Sequence, residues 1–425
     1  MNIETLYQIY LKHPSVQTDT RKLISGDIYF ALKGANFNGN DYAKNALEQG
    51  AAYAVVDESL NFEDERVIKV DDTLHTLQQL AKYHRLQFNI PFIAITGSNG
   101  KTTTKELVHV VLSEKYKTYT TEGNLNNHIG IPLTLLKIKS DAEIAVIEMG
   151  ANHQKEIEGY CEYALPTHGL ITNCGKAHLE GFGGEEGVKK GKGELFDFLR
   201  QNNGSVFIFN DFDYLNKMAE NISFIKSYGT REGDVVGEVL EDEQYLKVKI
   251  NKGSTIHQIN TKLVGGYNLP NILAAVCVGK TFDVPDEKIK LSLESYHPSN
   301  SRSQLIKKDS NEIILDAYNA NPSSMKLAIE NFAKMKGDKK ILMLGGMAEL
   351  GQESEQEHKQ LVALIQSFQW LHVILVGAQF KNIHQNYLFF NNVEEARDWF
   401  KNQLIQNSQI LIKGSRSIQM EKILD

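Results

Sequence analysis

Cysteine is nearly absent from this 425-residue chain: Cys161, Cys174 and Cys277 are scattered, odd in number and lack metal-ligand spacing. A disulfide framework and a cysteine metal cage are therefore excluded, and buried reduced thiols in a cytoplasmic protein are expected. No apolar stretch approaches the ~20 residues needed to span a bilayer. The N-terminus, Met1-Asn-Ile-Glu-Thr-Leu, has no basic segment followed by an apolar run, so it shows no sign of export. Positive charge is not in excess either: the formal net charge is −7. That gives no support for nucleic acid or an anionic membrane as partner. An anionic ligand must then be held by local N–H groups, metals and a few cations.

What remains is an ordinary globular composition, 41% hydrophobic and 23% charged, in a chain too long for one core. Three α/β blocks can be read, with expected limits at 1–90, 91–298 and 299–425. In the first, 27–32 and 52–56 read as strands around a short helix over 41–50. The central block has buried strands at 144–147, 169–172 and 206–209, a pattern that suits a parallel sheet covered on both faces. An antiparallel excursion is expected over 234–260, and the second boundary lies near 296–302. Beyond it, strands at 313–315, 341–344, 373–376 and 410–412 alternate with helical patterns and predict a smaller doubly wound domain.

The most informative stretch is the strand that opens the central block and breaks into Gly97-Ser-Asn-Gly-Lys-Thr-Thr103. Two glycines let the backbone curl so that successive N–H groups face one anion. Lys101 supplies a point charge for terminal phosphates, and the Thr102 hydroxyl can sit on Mg²⁺. Gly97 stands three residues before Gly100, a shortened form of the usual phosphate-loop spacing.

Other chemistry-bearing residues also follow strands. Glu148 ends an apolar run and is placed either to hold Mg²⁺ or to stand solvated at a strand end. His178 lies in Gly175-Lys-Ala-His-Leu-Glu-Gly181, where it could bind a second cation or be a surface histidine. The run Lys189-Lys-Gly-Lys-Gly-Glu194 reads as a solvated basic patch. Asp316-Ala-Tyr-Asn-Ala-Asn-Pro322 suits sugar hydroxyls or a capped turn, and Lys413-Gly-Ser-Arg-Ser417 suits a phosphate or carboxylate. The guanine-reading Asn-Lys-x-Asp of a GTPase does not occur.

Together these motifs resemble the Mur ligase family over nearly the whole length. Thr121-Glu-Gly-Asn-Leu-Asn-Asn127, Tyr318-Asn-Ala-Asn-Pro322 and Ala348-Glu-Leu-Gly351 are similar to the branch that adds D-alanyl-D-alanine to UDP-N-acetylmuramoyl-tripeptide. The resemblance implies three domains: an N-terminal one for the UDP-sugar, a central ATPase and a C-terminal Rossmann-like one. It implies ATP and Mg²⁺ as cofactors, and as partners the two small-molecule substrates, without nucleic acid or membrane insertion; a monomer is expected.

Carried over by motif, the ATP site comprises Gly97, Ser98, Asn99, Gly100, Lys101, Thr102 and Thr103, with Asn268 and Asn271 at the adenine and Arg302 and Asp316 across the cleft. Thr102, Glu148 and His178 would ligate Mg²⁺. Lys192 matches the family lysine that is carbamylated and, with Lys101 and His178, is expected to be catalytic. Thr20, Arg21, Asn38, Asn126, Lys413, Ser415 and Arg416 would contact substrate. Another amide ligase adding a single amino acid, or a nucleotide-switched ATPase, is the competing expectation.

Overall fold

The computed structural model describes residues 1–425 except Asp242, Glu243, Asn300 and Gln385. Parts of the expected 234–260 excursion and 296–302 boundary thus lie outside the described residues.

Three main sheets follow one another along the chain. The first has four parallel strands in the order Val16–Gln17, Ile28–Phe30, Tyr53–Val56 and Val67–Lys69. The expected helix over 41–50 is the α-helix Ala43–Glu48, entered through the 3₁₀ turn Gly39–Tyr42. Gly50, at φ 100°, turns the chain into the next strand, a conformation that glycine adopts without penalty.

The second sheet has nine strands. Its parallel part runs Phe224–Gly229, Ser205–Phe209, His168–Ile171, Phe92–Thr96, Ile144–Glu148 and Thr118–Thr120. Three of its four inner strands, those starting at 92, 144 and 205, read as continuous apolar runs because helices such as Lys101–Ser113, Glu185–Gln201 and Leu269–Thr281 cover both faces. The strands Val235–Glu241, Lys247–Lys252 and Gln258–Asn260 extend one edge, and the antiparallel pairing among them bears out the expected excursion. Thr118–Thr120 and Phe224–Gly229 were not predicted; one is half-buried and the other begins with exposed residues, so neither carries a solid apolar run.

The third sheet has six strands in the order Gln304–Lys308, Asn311–Asp316, Gln409–Lys413, Lys340–Gly345, His372–Val376 and Leu388–Phe390. All neighbours are parallel except the first pair. The four central strands are those the sequence predicts, and the two edges are additional.

Register decides where the chemistry collects. Ile95 pairs with Glu148 and Thr96 with Ile171, so three strands of the second sheet end side by side. In the third sheet Asp316 pairs with Lys413. These C-terminal edges are where an open parallel sheet binds ligands.

Candidate active site

A cavity of about 740 Å³ opens between the second and third sheets. Its wall includes the loop from Ser98 to Thr103, Asn126, Glu148, His178, Asn268 and Asn271 from one side. Arg302, Asp316, Tyr318, Asn321 and Lys413 come from the other.

The loop fits its place through its glycines. Gly97 has φ 139°, and a Cβ there would stand 2.0 Å from Thr172 Oγ1. Gly100 has φ 80°, caps the helix Lys101–Ser113, and would put a Cβ 2.8 Å from Asn271 Oδ1. The amides do not all face one way, as the sequence suggests. Ser98 N–H donates to the Asn173 carbonyl at 2.8 Å and Asn99 N–H to Asn173 Oδ1 at 3.1 Å. Thr172 Oγ1 in turn donates to the Asn99 carbonyl at 2.6 Å. The amides of the first helical turn, Gly100 to Thr103, have no intrahelical acceptor, because Thr104 N–H is the first to reach back, to Gly100.

Lys101 lies across the loop and donates to the carbonyls of Gly97 at 2.6 Å and Ser98 at 3.2 Å. Burial lowers its pKa to about 8; nearby Glu148 opposes the shift and Arg302 adds to it.

Glu148 is 1% exposed. Its Oε1 accepts from Thr102 Oγ1 at 3.1 Å and Asn126 Nδ2 at 2.7 Å, while Oε2 is buried without a hydrogen-bond partner. A buried carboxylate oxygen left bare calls for a cation. Among the described residues no group of three or more His, Cys, Asp and Glu forms a complete cage. The donor set therefore fits a hard ion that takes its other ligands from phosphates and water.

His178 stands on the cavity wall with its Nδ1 against Oε2 of Glu349. Lys192 is 1% exposed, sits in the helix Glu185–Gln201 and donates to the Ala151 carbonyl at 2.9 Å, with the Phe182 ring 4.9 Å away. It is thus no solvated basic patch. Burial, with Lys101 as a second cause, holds its pKa well below the ordinary lysine value.

Across the cleft the Arg302 guanidinium lies 3.6 Å from the Tyr318 ring centroid, and its buried Nε has no partner. Asp316 accepts from Ser303 N–H at 3.1 Å and from Lys413 Nζ at 2.6 Å.

Several expected binding residues are placed differently. The Asn271 amide donates to Asn268 Oδ1 at 2.9 Å, and Asn268 donates to the Val264 carbonyl at 2.9 Å. This buried pair braces the loop at Gly100, so it turns side-chain groups inward as well as lining the cavity. Lys413 is engaged by Asp316, and Ser415 Oγ donates to the Gly346 carbonyl at 2.7 Å. Arg416 pairs with Glu421 at 2.5 Å, and neither Ser415 nor Arg416 is on the cavity wall. Thr20, Arg21 and Asn38 lie in the first block, away from this wall. Arg21 is held by Asp19 at 2.8 Å with its side chain 86% exposed, and Asn38 donates to Glu58 at 3.0 Å.

The residues that close the cleft were not singled out from sequence. Asn321 Nδ2 donates to Asn99 Oδ1 at 2.7 Å, Lys176 N–H to Ser323 Oγ at 3.0 Å, and Lys176 Nζ to Glu357 at 2.7 Å. Tyr267 and Ser303 share a 3.0 Å hydrogen bond. Asn321 and Glu349 lie inside quoted motifs, but nothing in the sequence assigned them partners.

The comparisons with known proteins agree with this geometry. Three family models match: the Mur ligase family catalytic domain over residues 14–85, the Mur ligase middle domain over 95–279, and the Mur ligase glutamate ligase domain over 301–416. A UDP-N-acetylmuramoyl-tripeptide–D-alanyl-D-alanine ligase of Bacillus subtilis (strain 168) is 34% identical over 422 residues, covering 96% of this chain and 92% of its own. The Escherichia coli (strain K12) enzyme of the same name is 34% identical with the same coverage. Among solved structures, MurF from Acinetobacter baumannii superposes with a TM-score of 0.88 at 31% identity, covering 96% of this chain and 92% of its own. A MurF ligase from Thermotoga maritima in complex with ADP gives 0.88 at 26% identity, with 97% of each chain covered.

Proposed function

Since the chain belongs to the Mur ligase family, we propose that it joins D-alanyl-D-alanine to UDP-N-acetylmuramoyl-tripeptide at the cost of ATP, making the pentapeptide precursor of peptidoglycan. The observation that carries the reading is the likeness, along almost the whole chain, to ligases of that name. We assign residues 1–90 to the UDP-sugar, 91–298 to ATP and 299–425 to the closing domain; each main sheet falls within one of these limits. The three buried free cysteines suit the cytoplasm, and no described helix is long and apolar enough to cross a membrane.

A peptide carboxylate resists amines because its leaving group would be oxide. Phosphorylation by ATP gives an acyl phosphate, whose leaving group is inorganic phosphate. Mg²⁺ bound with the nucleotide supplies positive charge that offsets the repulsion between carboxylate and γ-phosphate. Thr102 and the bare Oε2 of Glu148 would hold it, with His178 at a second position. Lys101 and the amides of Gly100 to Thr103 cradle the phosphates, and Arg302 faces them from the opposite wall. The Asn321–Asn99 and Lys176–Ser323 bonds hold the walls together, which excludes the water that would hydrolyse the acyl phosphate.

Lys192 would act as its carbamate. Its burial favours the neutral amine, whose nitrogen would attack the carbon of CO₂ and release a proton, converting a neutral group into an anion beside Ala151. Thr20, Arg21 and Asn38 would anchor the UDP-sugar, and Asn126 and Lys413 the reacting end.

The test is the product of the purified chain with Mg-ATP, UDP-MurNAc-tripeptide and D-Ala-D-Ala. A mass gain of one dipeptide less water supports the reading. A gain of a single amino acid, or phosphate release without the dipeptide, assigns the chain to another ligase or to a plain ATPase.

A further inference from the structure

Phe212 and Tyr214 line the cavity and stack on each other, with ring centroids 5.3 Å apart and planes 16° from parallel. They follow the inner strand Ser205–Phe209, and Phe209 braces Phe212 edge-on at 5.0 Å. Both rings are half-buried. Tyr214 OH accepts from the Cys174 N–H at 3.1 Å. Cys174 follows Asn173, which holds the phosphate loop through Ser98 and Asn99, so the aromatic pair is tied to that loop.

The opposite wall meets this pair with an apolar side chain. Leu327 lines the cavity and is 45% exposed although it is a leucine. It lies on the helix Pro322–Lys334, whose start is bonded to the other wall by Asn321 to Asn99 at 2.7 Å and by Lys176 N–H to Ser323 Oγ at 3.0 Å. Leu327 is four residues beyond Ser323 and so shares its face of the helix, one turn on. A Cβ on Gly175 would stand 2.9 Å from Ser323 Oγ, so the walls touch next to the residue that carries the aromatic pair. The two rings, the Cys174–Gly175 backbone and the turn from Ser323 to Leu327 thus bound one end of the cavity, beside the phosphate loop.

The amides expected at adenine are turned elsewhere. Asn271 Oδ1 accepts from Thr104 Oγ1 at 3.1 Å, and Asn268 Oδ1 accepts from the Asn271 amide at 2.9 Å. Adenine presents an amino donor where guanine presents a carbonyl acceptor, so telling them apart needs an acceptor aimed at that edge. Both side-chain oxygens serve protein partners instead.

We propose that the nucleotide base is held by stacking on Phe212 and Tyr214, with Leu327 as its cover, and that the site therefore accepts purines other than adenine. Every base has a π-face, so stacking binds well and discriminates little. The inference deepens the reading of this cavity as a nucleotide site and rests on it.

Calorimetric titration of the full chain in Mg²⁺ tests it with a non-hydrolysable ATP analogue, the matching GTP analogue and inorganic tripolyphosphate, which has no base. Wild type should bind the two analogues within about tenfold of each other, and each about 10- to 100-fold more tightly than tripolyphosphate. Phe212→Ala and Leu327→Ala should bring the analogues towards tripolyphosphate and leave the tripolyphosphate affinity unchanged. Phe212→Tyr, which keeps the ring, should restore the difference. Leu327 stands exposed on its helix, so its truncation reads the base contact even where Phe212→Ala disturbs the fold. An ATP analogue bound more than about 100-fold more tightly than the GTP analogue overturns the inference, as does a gap to tripolyphosphate that survives both truncations. Failure of all the probes to bind overturns the nucleotide reading itself, and the inference with it.

Discussion

Thr102 donates its hydroxyl to Oε1 of Glu148 at 3.1 Å, and the other oxygen of that carboxylate is buried with no hydrogen bond at all. A buried carboxylate oxygen without a partner is unfavourable, and the proposed cation would supply one.

Glu148→Gln tests that trade. The amide keeps an acceptor for Thr102 and Asn126 while removing the uncompensated charge. Stability without metal should stay level or rise by about 1 kcal/mol, while turnover should fall at least about 100-fold. Thermal unfolding in chelator and steady-state turnover check the two halves. A variant that loses stability and keeps its turnover contradicts the assignment.

Asn321 does two jobs that a single substitution can separate. Its Oδ1 caps the helix Pro322–Lys334 through Ser324 N–H at 2.9 Å, and its Nδ2 bridges the cleft to Asn99. Asn321→Asp keeps the cap and loses the bridge. Turnover should drop by about 3- to 10-fold, the scale of one hydrogen bond, with the unfolding temperature unchanged. Equal turnover would mean that the bridge does not help to hold the cleft closed.

Lys101 gives a pH signature. In the free protein its ammonium is lost as pH rises through about 8, so the affinity for a non-hydrolysable ATP analogue should weaken by about tenfold per unit above that. Calorimetric titrations at about pH 7.5 and 9 measure it. Lys101→Ala should bind weakly with a flat profile, and a flat wild-type profile contradicts the role given to the lysine.

Three histidines bind the fold to neutral pH. His84, with Nδ1 facing Tyr7 OH at 3.0 Å and Nε2 the Ile138 carbonyl at 2.8 Å, has its pKa lowered by burial, as has His358. His168, between Phe207 and Phe282, is lowered from 6.5 to about 4. A depressed folded-state value means that the unfolded chain takes up protons first. Stability is then complete above pH 6.5 and lost as pH falls below it, with His168 alone giving about 2 kcal/mol between pH 7 and 5. The unfolding temperature should fall across that window, and less so in His168→Gln. A temperature that holds or rises contradicts this account.

Much of the fold was legible because the inner strands of two covered sheets must be apolar throughout. The edge strands Thr118–Thr120, Gln304–Lys308 and Leu388–Phe390 were not, since an edge needs no such run. The phosphate loop was legible because only glycine fits against Thr172 and Asn271. What the sequence hides is the direction of side chains. Asn268 and Asn271 read as adenine-facing amides and are also a mutual brace behind the loop. Lys189 to Lys192 reads as a solvated run, yet the helix Glu185–Gln201 turns Lys192 inward. Contacts such as Asn321 with Asn99 join residues 222 positions apart, and no local pattern encodes them.

The central claim, that the chain activates a carboxylate as its acyl phosphate, is tested most directly by oxygen transfer. UDP-MurNAc-tripeptide labelled with ¹⁸O in its terminal carboxylate is turned over with Mg-ATP and D-Ala-D-Ala, and the released phosphate is analysed by mass. The account predicts one labelled oxygen in the phosphate for every peptide bond formed. Phosphate that carries no label, with the peptide bond still made, contradicts it.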